Sequence, residues 1–158
     1  AGEIGHTIIH VDSERKCTCG NNGCLMAHSS GIFFPSLFQN KLKEGKKSRI
    51  GCIELLEVNG RVIAQGLKLD DKICKEIFYE SARIIGIGIY NVFQVLNPEA
   101  VIIGGGLMNL GQEYIEEIRR TFYSYVREMM FDRMEIIPAE LEGNSGLVGA
   151  AALLLERR

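Results

Sequence analysis

Three of the five cysteines fall between positions 17 and 24, spaced Cys17-x-Cys19-x4-Cys24, and no other feature constrains the fold as much. The stretch that carries them, Asp12 to Gly23, is rich in Asp, Ser, Asn and Gly and has no apolar periodicity. Such a segment cannot bury enough surface to offset the entropy of ordering it. A metal ion can, since thiolates are soft ligands and structural zinc sites release about 10–16 kcal/mol on binding. Gly20, Asn21, Asn22 and Gly23 suit the left-handed turns of a tight wrap. The alternative, three small hydrophobes in a core, fits poorly with polar surroundings. A redox pair needs Cys-x-x-Cys near a helix start, which is absent. Zinc requires a fourth ligand, and by sequence alone His6 and His10 supply it equally well. Four protein ligands leave no open position for water, so the expected role is structural.

The rest of the chain sets the frame. Its 158 residues suffice for one domain, with 46% hydrophobic and 24% charged residues, the balance of a globular protein. A net charge of -2 gives no electrostatic footprint for nucleic acid or an anionic membrane. No apolar run reaches the roughly 18 residues of a membrane span. The first residues lack a secretory leader pattern, so reduced thiols and a cytoplasmic location are expected. The absence of an initiator Met gives the look of a chain cut from something longer.

Periodicity yields an α/β layout. Thr7 to Val11 is β-branched and reads as a strand. Short helices are expected over Gly23–Ser30 and Phe34–Lys43, the latter with Pro35 in its first turn and Gly45 at its end. Lys41 to Arg49 is a basic run, read as a solvated surface. Ile53–Leu56 and Val62–Leu67 read as helical. Ile73, Ile77, Ala82, Ile85, Ile89, Val92 and Leu96 predict one long helix over Asp70–Leu96, capped by Asp70 and Asp71. Gly86 and Gly88 inside it each cost about 1 kcal/mol against Ala, which points to close packing. Ala100–Ile103 reads as a strand buried on both faces. A helix from Gly111 to Met130, a strand over Met134–Pro138 and a helix ending at Leu155 complete the order.

Three stretches now carry a resemblance. They are Gly2-Glu3-Ile4-Gly5-His6 with Cys17-Thr18-Cys19-Gly20-Asn21-Asn22-Gly23-Cys24-Leu25, then Asn97-Pro98-Glu99 through Gly104-Gly105-Gly106, then Gly143-Asn144-Ser145-Gly146 through Ala151. In this order they resemble the signature of the ROK family, which groups bacterial sugar kinases such as glucokinases with sugar-responsive repressors. The resemblance implies an actin-like, ribonuclease-H-like fold with a zinc-bound loop, and sugar and ATP in a cleft between two domains. It selects His6 over His10 as the fourth zinc ligand beside Cys17, Cys19 and Cys24. It makes Glu3 and His6 the pair that holds hydroxyls of a hexose. It also places Gly104, Gly105 and Gly106 against the nucleotide, whereas a bare triple glycine is equally a tight turn. Gly143 to Gly146 reads as readily as a helix cap.

Two departures stand out. The family's Glu after Cys-Leu, a sugar contact, is Met26 here, and a thioether is a weak acceptor. The family's Asp-x-Gly-Gly-Thr phosphate loop does not occur, and neither does the Asp that acts as base on the sugar hydroxyl. The resemblance therefore implies the C-terminal portion of an ATP- and Mg²⁺-dependent hexose kinase, lacking its N-terminal domain and inactive alone. The alternative is the sugar-sensing half of a repressor, the one case in which nucleic acid is a partner of the parent protein. An apolar face left for the absent domain makes a homodimer plausible.

Overall fold

The computed structural model describes residues 2–51, 54–126, 134–141 and 144–155. The elements are α1 (Leu25–Ser29), α2 (Phe34–Lys43), α3 (Gly60–Lys68), α4 (Lys72–Leu96), β1 (Ala100–Ile103), α5 (Gln112–Tyr125), β2 (Glu135–Pro138) and α6 (Ser145–Leu155). Three-residue 3-10 turns occupy Ile4–His6, Gly31–Phe33 and Leu55–Glu57, and a longer one spans Gly106–Leu110. Of the expected helix over Ile53–Leu56, Ile53 lies outside the described residues, as do positions 127–130 of the helix expected from Gly111 and Gly143 of the last glycine loop.

The long helix α4 organises the fold, packing against α5, α1, α3 and α2. Its buried stripe of Ile73, Ile77, Phe78, Ala82, Ile89 and Phe93 meets Tyr114, Ile115, Ile118 and Phe122 of α5 in one core. Both internal glycines are explained by approach. A Cβ on Gly86 would lie 2.9 Å from the Ile118 carbonyl oxygen and 2.7 Å from Thr121 Cβ, so α5 seats directly on the backbone of α4. A Cβ on Gly88 would lie 2.0 Å from Leu25 Cδ1, so α1 docks there.

Capping of α4 differs from expectation in one residue. Asp71 is the cap, its Oδ1 accepting from Cys74 N at 2.8 Å while Oδ2 accepts from Ser48 Oγ at 2.6 Å. Asp70 instead takes a left-handed φ of 54° and pairs with Lys75 and Arg49. The expected strand over Thr7–Val11 is not a strand. Ile8 makes an isolated antiparallel bridge to Cys24, and the amides of Ile9 and His10 both donate to the Gly23 carbonyl at 2.9 and 3.2 Å. One carbonyl serving two successive amides is a wrap around a turn, incompatible with a ladder.

β1 and β2 pair in parallel, Ala100 opposite Glu135 through Ile103 opposite Pro138. Burial of β1 on both faces is not observed: Val101 and Ile103 pack on the core, whereas Ile102 is 67% exposed. Among the described residues only one face of this two-stranded sheet is covered, and an apolar run of four cannot reveal that. α6 likewise exposes Leu147, Leu153, Leu154 and Leu155. No described helix is long and apolar enough to cross a membrane.

Candidate functional site

The cysteine loop closes on the 3-10 turn Ile4–His6. Cys17 N donates to Asn21 O at 2.8 Å, Gly20 N to Cys17 O at 3.0 Å, and Gly23 N to Arg15 O at 3.1 Å, which folds Cys17, Cys19 and Cys24 toward one point. Gly23 is obligatory there: its φ is 72° and a Cβ would stand 2.0 Å from the His10 carbonyl oxygen. The ligand atoms of His6, Cys17, Cys19 and Cys24 all lie within 4.8 Å of one another. His10 belongs to no such cluster among the described residues. Its ring stacks on His28 with centroids 5.2 Å apart.

The spacing of donor atoms fits a tetrahedral ion. Zinc at about 2.3 Å from sulfur and about 2.0 Å from nitrogen separates two sulfurs by about 3.8 Å and a sulfur from a nitrogen by about 3.5 Å. The Cys19 and Cys24 Sγ atoms are 3.6 Å apart, and His6 Nδ1 is 3.4 Å from Cys17 Sγ. Cys17 and Cys24 also join a small apolar cluster with Ala27, flanked by Met26 and Phe33, so the loop is less polar inside than its composition suggests.

The thiols are electrostatically unequal. Burial pushes Cys17 up, but the Cys19 amide and hydrogen bonds from His6, Cys19 and Cys24 outweigh it and bring the thiol down to about 6. Burial, then the neighbouring Cys19 and Cys17, pushes Cys24 up to about 12. Without an ion the cluster favours negative charge on Cys17 and resists it on Cys24. A bound cation removes that conflict by holding the thiols deprotonated together.

His6 faces two ways. Nδ1 looks at the cysteines while Nε2 lies 3.0 Å from Glu3 Oε2. A ligating imidazole whose second nitrogen donates to a carboxylate has its ring and tautomer fixed. The Glu3 side chain is 74% exposed, leaving its carboxylate open to a ligand as well. Met26 sits alongside, its Sδ 4.0 Å from Thr18 Oγ1.

A second polar cluster fastens the loop to the core. Arg15 Nη1 donates to His28 Nδ1 and to Glu80 Oε1, each at 3.0 Å, so His28 carries its proton on Nε2 and donates to Ser13 Oγ at 3.0 Å. Burial, then Arg15 and His10, holds the His28 imidazole below its ordinary value, with Glu80 opposing.

The triple glycine lies apart from the metal cluster, at the carboxyl end of β1, where ligands of open α/β sheets bind. Gly105 has φ 81° and ψ -163°, a region essentially reserved to glycine. Asn109 Nδ2 donates to the Gly106 carbonyl at 2.8 Å and fixes the turn. Gly106 lines two clefts. One, of about 550 Å³, reaches Ser30 and Gly31. The other, of about 640 Å³, reaches Pro138 and Ala139 and includes Gly105. Gly104 does not line either one. Sequence reasoning missed Arg61 and Asn109, which line both; no local motif marks them.

Relatives place this arrangement. The chain is 30% identical over 156 residues to the xylose repressor of Caldicellulosiruptor bescii, covering 98% of this chain and 39% of that protein. It is 26% identical over 161 residues to a glucokinase of Halalkalibacterium halodurans, covering 99% and 48%. The chain thus spans less than half the length of these curated relatives. Among solved structures it matches a ROK family glucokinase from Streptomyces griseus in complex with glucose and AMPPNP, with TM-score 0.77, 26% identity and coverage of 97% of this chain and 51% of that one. It shares its fold, with TM-score 0.73 at 23% identity over 87% of this chain and 34% of that one, with a ROK family transcriptional regulator homologous to the E. coli MLC protein. The α/β, ribonuclease-H-like architecture is the one these proteins have. A model of the ROK family matches residues 1–157. Because that match runs past both the cysteine loop and the last helix, the chain belongs to the ROK family.

Proposed function

We propose that this chain carries the metal-braced sugar loop and the nucleotide loop of an ATP-dependent hexose kinase, as its C-terminal portion. His6, Cys17, Cys19 and Cys24 hold zinc, Glu3 and His6 meet sugar hydroxyls, and the Gly104 to Gly106 turn borders the nucleotide through Gly105 and Gly106. The single observation that supports this most is the glycine turn at the end of β1, held by Asn109 and opening onto two clefts. Such a turn lets backbone approach a nucleotide closely. Zinc, when bound, supplies no chemistry to the sugar; it fixes the His6 ring so that its outer nitrogen and Glu3 present a rigid polar edge.

Phosphoryl transfer also needs Mg²⁺-bound phosphates in line with an activated hydroxyl. The Asp-x-Gly-Gly-Thr loop does not occur in these 158 residues. In this reading the phosphate loop and the base come from the partner half of the kinase, and the chain alone turns over no hexose. A second reading, the sugar-sensing part of a repressor, draws on Met26, which puts a thioether where the family has a carboxylate.

Calorimetric titration of the zinc-loaded chain separates the two. Binding of both glucose and Mg²⁺-AMPPNP, with the latter abolished by Gly105→Val, supports the kinase. Sugar binding with no nucleotide binding overturns it in favour of the repressor.

A further inference from the structure

The two clefts beside Gly106 have walls of unequal character. Among the described residues that line either one, Arg61 carries the sole charge. The reason it stands there is local. Asn59 caps α3, its Oδ1 accepting from the amides of Arg61 and Val62 at 2.9 and 3.3 Å. Gly60 then abuts the glycine loop: a Cβ on it would lie 3.3 Å from the Gly106 carbonyl oxygen. With α3 seated so closely, the next residue, Arg61, lines both clefts. Arg61 makes no ion pair and no side-chain hydrogen bond with any described residue, so none of these occupies its five guanidinium donors.

We infer that Arg61 is a polyphosphate-binding residue, which selects nucleoside polyphosphates over nucleosides at the glycine loop. This deepens the nucleotide reading and rests on it. One cleft runs to Ser30 and Gly31, which follow α1 out of the metal loop where the sugar is proposed to bind. The other runs to Gly105, Pro138 and Ala139. A nucleotide laid along both has its base and ribose at the glycine end and its phosphoryl tail toward the sugar. The junction between them is where charge accumulates, and a guanidinium fork matches phosphate oxygens bidentately. Among the described residues the walls carry no carboxylate, so an anion entering the cleft meets the attraction of Arg61 without a competing negative charge from them.

The test compares Mg²⁺-AMPPNP with adenosine on the full zinc-loaded chain, for wild type, Arg61→Ala, Arg61→Lys and Gly105→Val. Arg61→Ala is expected to weaken AMPPNP about tenfold or more, as for a lost charge-assisted hydrogen-bonded pair. Adenosine affinity stays within about twofold, and Arg61→Lys recovers part of the loss through charge alone. The wild-type AMPPNP affinity falls with added salt more steeply than that of Arg61→Ala. Unchanged AMPPNP affinity in Arg61→Ala, with Gly105→Val abolishing binding, overturns the assignment of Arg61 and leaves the nucleotide reading standing. Equal losses for AMPPNP and adenosine overturn the phosphate role in favour of a contact to base or ribose. A wild-type chain that binds neither ligand overturns both readings. Circular dichroism establishes that each variant is folded.

Discussion

Replacing Cys19 with serine isolates the metal from the packing around it. Cys19 is the exposed member of the cluster, whereas Cys17 and Cys24 are buried. Removing its sulfur opens no core cavity, so any loss is a loss of coordination. Dividing about 10–16 kcal/mol of zinc binding over four ligands gives about 2.5–4 kcal/mol for one, or about two to three powers of ten in affinity. A serine hydroxyl recovers little of this, since it is neutral and hard where the ion prefers a thiolate. Competition against a chromophoric chelator near neutral pH measures the affinity directly. The control is His10→Ala, in the same loop but stacked on His28, which is expected to hold zinc within about twofold of wild type. Stability follows by mass action: free zinc at a hundred times its Kd adds about 2.7 kcal/mol, or about 5–10 °C in Tm for a chain of this size. That gap should vanish in Cys19→Ser. Equal zinc affinity for Cys19→Ser and wild type, or a His10→Ala loss as large as that of Cys19→Ser, would refute the four-ligand assignment.

Glu3→Gln keeps the shape of the His6 partner and removes its charge. It is expected to weaken hexose binding by about 1 kcal/mol or more and zinc by about tenfold, read by calorimetry and chelator competition; unchanged values for both would retire Glu3. Gly86→Ala places a methyl 2.9 Å from the Ile118 carbonyl oxygen. Overpacking of about 1–3 kcal/mol exceeds the gain of about 1 kcal/mol in helix propensity, so urea unfolding should show a net loss of up to about 2 kcal/mol. A stabilised variant would contradict the close approach of α4 and α5. For His28, the unfolded imidazole takes its proton near about 6.5 and the folded one at lower pH. The unfolded chain therefore binds more protons in that interval, and stability is full above about 6.5 and falls as the pH drops below it. His28→Gln should flatten this part of the acid profile in chelator-treated protein; an unaltered slope would show that His28 does not titrate on unfolding.

What the sequence revealed was whatever depends on near neighbours. The periodicity from Ile73 to Leu96 marked α4, and Cys17-x-Cys19-x4-Cys24 marked the loop, because both are patterns within one segment. The strand over Thr7–Val11 was misread because β-branched residues favour extended backbone whether or not a ladder exists, and here the Gly23 carbonyl takes two amides at once. His6 and His10 were inseparable by spacing; the 3-10 turn aims one at the cysteines, and stacking on His28 turns the other away. The single-sided burial of β1 was hidden for a different reason. Val101, Ile102 and Ile103 read alike in the sequence, and only the placement of the helices decides that Ile102 faces outward. Arg61 was invisible because its meaning comes from the approach of Gly60 to Gly106, forty-six positions away along the chain.

The metal loop and the glycine cleft are joined by very little chain, which makes their coupling testable. Cys24 ends the metal wrap, α1 runs five residues from Leu25 to Ser29, and Ser30 already lines the cleft. At about 1.5 Å per residue, α1 separates the two by under about 10 Å. Yet α1 has anchors independent of the ion: Leu25 seats against Gly88, and His28 is tied through Arg15 to Glu80 on α4. The main core, built on α4 and α5, contains none of the four ligands. Chelation should therefore release the wrap over positions 16–23 while Arg15 and α1 hold their place. The expected signature is protease cutting confined to that loop and loss of hexose binding, with Mg²⁺-AMPPNP affinity kept within about threefold, well under the tenfold that marks a lost contact. A parallel collapse of nucleotide binding would mean that the ion, and not the Leu25 and His28 anchors, positions the wall of the cleft.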